Sequence, residues 1–283
     1  MIVAVVGPTG VGKTKMSIEL AKELDAIIIN CDAVQVYREL NIGSAKASKD
    51  EQGSVPHFLL DIKNVNEEYT VKDYQTDIRN LLNEYQNRNI IIVGGTGLYL
   101  CAGLMDYRFE EEINNILYED LSNEELYQLA KEKDGSVNIH PNNRVRLIRF
   151  LNKKNTEKVE PKLLYKDVHF IGLTTEREKL YNIINDRVDK MMNSGLLEET
   201  KSLYEKYPHS RVLHSAIGYK ELIEYLDNKI SLEEAINNIK QNSRHYAKRQ
   251  YTWFNNKMDV KWFEVNYNNF DETINEVKKY LKD

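Results

Sequence analysis

Gly7-Pro8-Thr9-Gly10-Val11-Gly12-Lys13-Thr14 follows directly on the apolar run Ile2–Val6 and leads into a helical pattern carrying Met16, Leu20, Ala21 and Leu24. A buried strand, a G-x-x-x-x-G-K-T loop and a helix in that order are the context a phosphate-binding loop requires. Gly7 and Gly12 let the backbone turn tightly, so that successive N–H groups of the loop converge on one anion. The helix that follows adds the positive end of its dipole. Lys13 brings a point charge to terminal phosphates, and the Thr14 hydroxyl suits Mg²⁺. All eight residues are therefore assigned to binding a di- or triphosphate.

Outward from this loop, the first hundred residues alternate apolar runs with helical spacing. Ile2–Val6, Ile27–Asn30, Phe58–Ile62 and Ile90–Val93 read as buried strands, and Lys13–Leu24 and Val71–Arg88 as helices. The alternation predicts an α/β fold: a parallel, P-loop NTPase-like sheet flanked by helices. Ligands of such sheets collect at the carboxyl ends of the strands. The loop at 7–14, Asp32 and Gly94–Gly97 should therefore share a crevice. Near Phe109 the pattern changes, and Ile113 to Leu151 reads as mostly helical. Ser122 and Glu125 form a capping box, and Pro141 opens a basic helix. Val168–Leu173 returns as a strand, and everything after Thr175 reads as helix. The expected organisation is a core over 1–108, a small helical insertion over 109–155, and a second, mainly helical part of the core over 156–283.

Hydrophobic content of 41% and charged content of 29% over 283 residues suit a chain that buries a sizeable core. No apolar run is long enough to span a membrane. The first strand begins almost at once, which predicts a chain without a leader, and Cys31 and Cys101 have neither disulfide nor zinc spacing. The expected setting is the cytoplasm, and nothing requires more than a monomer. The net charge of −5 argues against nucleic acid until its distribution is considered. Arg144, Arg146, Arg149, Lys153 and Lys154 fall in one stretch with no acid. Lys240, Arg244, Lys248, Arg249 and Lys257 fall in another, interleaved with Tyr246, Tyr251, Trp253 and Phe254. Both are candidates for gripping phosphates of a nucleic acid, although aromatics at helical spacing more often belong to a core.

A phosphate loop by itself serves kinases, hydrolases and switches alike. Two acids follow apolar runs and qualify for Mg²⁺ or base chemistry: Asp32 and Asp61. The small residues of Gly94-Gly95-Thr96-Gly97 permit a substrate to approach closely, with the Thr96 hydroxyl as a handle.

Seven blocks then resemble the tRNA dimethylallyltransferase family, in its order and over most of the chain. They are Gly7–Thr14; Asn30-Cys31-Asp32-Ala33-Val34-Gln35-Val36-Tyr37-Arg38 with Ile42–Lys46; Val55–Asp61; Gly94–Leu100; His140–Arg144; Ala216–Glu221; and Ala247–Phe254. The resemblance implies transfer of a dimethylallyl group from its diphosphate to N6 of the adenine 3′ of a tRNA anticodon. The phosphate loop would then hold a leaving group, assisted by Mg²⁺ on Thr14. Asp32 is implied as general base, with Thr96 beside it at the reacting centre. Asp32, Ala33, Val34, Gln35 and Thr96 would meet the flipped-out base, and Arg144, Lys248 and Arg249 the anticodon stem-loop. A small-molecule or nucleoside kinase is the alternative. The chain departs from the family in a shorter region between Phe109 and Leu173, and in Ser215, where Arg or Gln commonly stands.

Overall fold

The computed structural model describes residues 1–109, 116–153 and 161–282. Six strands make one sheet: β1 (Ile2–Val6), β2 (Ile27–Asn30), β3 (His57–Phe58), β4 (Ile90–Val93), β5 (Val168–Thr174) and β6 (Lys261–Glu264). Their order is β3-β2-β4-β1-β5-β6, and every pairing is parallel. Alternation along β1 and β2 sets the two faces. Ile2, Ala4, Val6, Ile27 and Ile29 enter one core, and Val3, Val5 and Ile28 enter the other. Residues buried on both faces are why these strands read as unbroken apolar runs.

Helices cover both faces. On one lie α1 (Lys13–Leu24), part of α7 (Arg177–Asn193) and α11 (Phe270–Lys282), contributing Met16, Leu20, Ile184 and Val277. The other carries α3 (Val71–Glu84), α4 (Gly97–Leu104), α8 (Leu196–Lys206), α9 (Tyr219–Leu226) and α10 (Leu232–Lys257), contributing Ile78, Leu104, Leu196, Leu222 and Phe254. A short α2 (Lys49–Gln52) opens on a capping box at Ser48 and Glu51. Each fully buried Leu or Ile is worth roughly 1.5–3 kcal/mol relative to exposure. No helix among the described residues is long and apolar enough to cross a membrane.

The chain divides into two compact units, residues 1–105 with 163–283, and residues 106–162. The second contains α5 (Asn123–Lys133) and α6 (Arg144–Asn152), packed around Leu126, Ala130 and Leu147. Lys133 holds the end of α6 by donating to the carbonyls of Phe150 and Leu151 at 3.0 and 2.8 Å. The start of the helical reading, residues 113–115, and the basic residue Lys154 lie outside the described residues.

Several boundaries differ from expectation. The strand expected over 58–62 is the two-residue β3, because Leu59 and Asp61 take positive φ values of 59° and 53° and leave the sheet. Helix α6 starts at Arg144, where Asn143 caps the Arg146 N–H, rather than at Pro141. The tail is not all helix, since β6 adds a sixth strand beside β5.

Candidate active site

Because β2, β4 and β1 are consecutive in the sheet, the segments that leave them lie side by side. Hydrogen bonds continue past the strand ends: Cys31 N donates to Val93 O (2.7 Å), Gly94 N to Val5 O (3.3 Å) and Thr96 N to Cys31 O (3.1 Å). Residues 7–14, Asp32 and 94–97 thus meet at one crevice.

The phosphate loop leaves β1 through Gly7, at φ 136°, where a Cβ would stand 2.4 Å from the Leu173 carbonyl oxygen. Lys13 folds back to donate to Pro8 O at 2.8 Å. Burial and the nearby Arg187 guanidinium lower its pKa to about 8, against the attraction of Asp32. Arg187, from α7, donates to Thr9 Oγ1 at 3.2 Å. Burial lowers its pKa also, and Asp32 again opposes the shift. Two cations crowded around one carboxylate leave an excess of positive charge that an anionic ligand relieves.

Asp32 is aimed by its neighbours. Its Oδ1 accepts from Val34 N (2.9 Å) and Gln35 N (3.4 Å), an Asx turn that fixes the side chain. Its Oδ2 accepts no hydrogen bond from a described residue, which leaves that oxygen for a substrate. Buried Asn30 accepts from Asp32 N (3.1 Å) and donates to the carbonyls of Asp32 (3.1 Å) and Leu59 (3.0 Å). Asp61, the other acid singled out by its position, pairs with Lys46 at 2.5 Å and follows β3, with β2 and β4 between it and β1. Its carboxylate closes a loop. Asp32 is the acid of the crevice.

Hard oxygen donors suit Mg²⁺, and the Thr14 hydroxyl and the Asp32 carboxylate are of that type. Among the described residues no group of three or more His, Cys, Asp or Glu side chains could hold a metal. The donor set therefore fits an ion that draws most of its ligands from phosphate and water.

Gly94–Gly97 plays a different part from the one expected. A Cβ on Gly94 would meet the Cys31 carbonyl at 2.1 Å, one on Gly95 the Gln250 amide at 1.9 Å, and one on Gly97 the Trp253 ring at 2.1 Å. The space is filled by the protein's own groups, and small residues are needed there for α10 to seat. Thr96 remains in the site, its Oγ1 accepting from Ala33 N at 3.1 Å.

Gln250, buried on α10, joins two loops. Its Oε1 accepts from Thr9 N (2.9 Å) and its Nε2 donates to Gly95 O (3.1 Å). One turn earlier, Tyr246 reaches Thr96 and Gln250, and its pKa is raised by burial and by Asp32. Among the interleaved aromatics Phe254 is core, whereas Tyr251 is exposed beside Trp262. Lys248 and Arg249 are exposed. With His245, Thr252, Trp253, Asn256 and Lys257 they line a groove of about 590 Å³.

Other predicted residues turn inward. Arg144 donates to the carbonyls of Leu121 and Tyr118, both at 2.6 Å, and so braces the second unit. Gln35 donates through Nε2 to the carbonyls of Ser44 (3.0 Å) and Ala45 (3.4 Å). His57 bonds the Val55 carbonyl at 2.8 Å and has its pKa lowered by burial, as suits a structural residue. Arg187 and Gln250 are the site residues that sequence reasoning missed. Gln250 lies within a quoted block, while Arg187 sits in an ordinary amphipathic helix without a motif of its own.

A parallel sheet with a G-x-x-x-x-G-K-T loop, two half-buried cations and a carboxylate at adjacent strand ends defines a P-loop-type α/β enzyme. The family model for IPP transferase matches residues 35–257. A tRNA dimethylallyltransferase of Anoxybacillus flavithermus is 47% identical, over 99% of this chain and 96% of the relative. One from Bacillus cereus is 43% identical, over 99% and 94%. Among solved structures, the tRNA isopentenylpyrophosphate transferase of Bacillus halodurans superimposes with a TM-score of 0.76 at 40% identity, over 99% and 96% of the two chains. A eukaryotic dimethylallyltransferase acting on tRNA gives 0.83 at 28% identity, over 98% and 77%. The chain belongs to the IPP transferase family.

Proposed function

We propose that this chain transfers a dimethylallyl group from dimethylallyl diphosphate to N6 of the adenine 3′ of the anticodon in tRNA, and releases diphosphate. The observation that carries the reading is the convergence of Lys13 and Arg187 on the phosphate loop opposite the available oxygen of Asp32. In this reaction the bond from the allylic carbon to the diphosphate oxygen breaks as the bond from N6 to that carbon forms. Lys13, Arg187 and the N–H groups of the loop stabilise the negative charge that grows on the leaving group. Mg²⁺, held by the Thr14 hydroxyl and phosphate oxygens, supplies further charge neutralisation when bound. Asp32 accepts the N6 proton, and its Asx turn keeps it aimed as the base arrives. Thr96, with Ala33, Val34 and Gln35, forms the wall that meets the flipped-out adenine. Lys248 and Arg249 grip the stem-loop phosphates. The insertion, residues 109–155, contacts tRNA through its basic helix, with Arg144 bracing that helix. The enzyme works in the cytoplasm as a monomer.

Incubation with unmodified tRNA, Mg²⁺ and either dimethylallyl diphosphate or ATP, followed by mass analysis of nucleosides, tests the proposal. Adenosine carrying one dimethylallyl group should appear only with the prenyl donor. The Asp32→Ala protein should lose that product while binding tRNA within a few-fold of wild type. Phosphoryl transfer from ATP without prenylation would replace this reading with a kinase.

A further inference from the structure

The loop after β2 is held by a device that the reaction does not itself require. Glu199, in the first turns of α8, accepts from three consecutive main-chain amides. Asn41 N donates to Oε2 at 3.2 Å, Ile42 N to Oε1 and Oε2 at 3.1 and 3.0 Å, and Gly43 N to Oε1 at 3.2 Å. The Tyr219 hydroxyl donates to Oε1 at 2.6 Å. Burial and Glu199 push the Tyr219 pKa up, so that it stays a donor. Its ring lies where a Cβ on Gly43 would stand, 2.5 Å away, so a side chain at 43 would force the two apart. Successive amides around one carboxylate form an anion nest, and bonds to a charged acceptor are roughly twice as strong as neutral ones.

The next two residues of this loop set the orientation of Gln35. Its Nε2 faces the carbonyls of Ser44 and Ala45. An amide whose nitrogen is committed to carbonyls turns its oxygen the other way, and the reverse orientation would oppose oxygen to oxygen. Gln35 therefore offers an acceptor. An acceptor selects a donor on the base edge, such as the exocyclic amine of adenine, and rejects the carbonyl at the same place in hypoxanthine or guanine.

We infer that Glu199 and Tyr219 are positioning residues that, by anchoring residues 41–43, hold the Gln35 amide oxygen-outward and so make a 6-amino group a condition of binding. The inference rests on Gln35 meeting the base in tRNA. The test compares affinity for an anticodon stem-loop carrying adenine 3′ of the anticodon with affinity for the same RNA carrying hypoxanthine there. Wild type should favour adenine by about tenfold or more, the scale of one mispaired polar contact. Glu199→Ala and Tyr219→Phe should narrow that ratio to within about threefold while leaving dimethylallyl diphosphate affinity unchanged, and Glu199→Gln should fall between. Tyr219→Phe removes a single oxygen and serves if Glu199→Ala does not fold. A wild-type preference that persists in both variants overturns the positioning role alone. A preference untouched by Gln35→Ala removes Gln35 from the base contact and overturns the inference at its root. Wild-type protein that binds neither RNA overturns the proposed function itself.

Discussion

Lys13 shows how far one residue can be followed from motif to measurable behaviour. A lysine in an unfolded chain titrates near 10.5, and in the fold this one titrates near 8. Between those values the unfolded chain binds the extra proton. Stability therefore rises with pH from about 8 to about 10.5, and below 8 the cost of keeping Lys13 charged is present in full. A diphosphate reverses this, because its charge favours the ammonium form. Binding of dimethylallyl diphosphate at about pH 9 should take up close to one proton, and at about pH 7 none. Calorimetry in two buffers of different ionisation enthalpy measures that uptake. Lys13→Arg stays charged throughout and should take up none at either pH. Uptake unchanged in that variant would place the titrating group elsewhere. The motif announces Lys13, whereas the cause of its shift was out of view. Arg187 lies more than 170 positions away in sequence and reaches Thr9 only because α7 returns to the loop.

At the scale of elements, α10 locks the site through one amide. Gln250→Ala would leave the Thr9 N–H and the Gly95 carbonyl without their partner. A buried polar group so stranded costs about 1–3 kcal/mol. Unfolding in urea should show a loss of about 2–4 kcal/mol, with weaker diphosphate binding because the loop is no longer held. Unchanged stability would mean that water replaces the amide. Strands buried on both faces, such as β1, β2 and β4, were legible because burial writes itself as a continuous apolar run. The edge strand β6 was not, since Lys261 and Glu264 are exposed and only Phe263 is buried. The crevice at the strand ends was likewise predictable from the alternation of elements. The purpose of Gly94–Gly97 was not, because glycine permits the approach of a substrate and of one's own Gln250 or Trp253 equally well.

For the whole molecule, a net charge of −5 has to be reconciled with a polyanionic partner. Segregation resolves it: the exposed Lys248 and Arg249 share a groove with His245 and Lys257 on α10, while acidic residues such as Glu39 and Asp61 pair with Lys206 and Lys46 elsewhere. Contacts to RNA phosphates displace condensed counterions, so each contributes a nearly fixed increment to the dependence of affinity on salt. Replacing both Lys248 and Arg249 by Ala should weaken tRNA binding most at low salt. It should also flatten the slope of log affinity against log salt by roughly one to two, about one per lost phosphate contact. Dimethylallyl diphosphate affinity should not move, since both side chains are exposed on α10, outside the phosphate loop. Filter binding across a salt series measures the slope directly. An unchanged slope would assign the two cations to the helix surface alone, and tRNA would then have to reach Asp32 along another face.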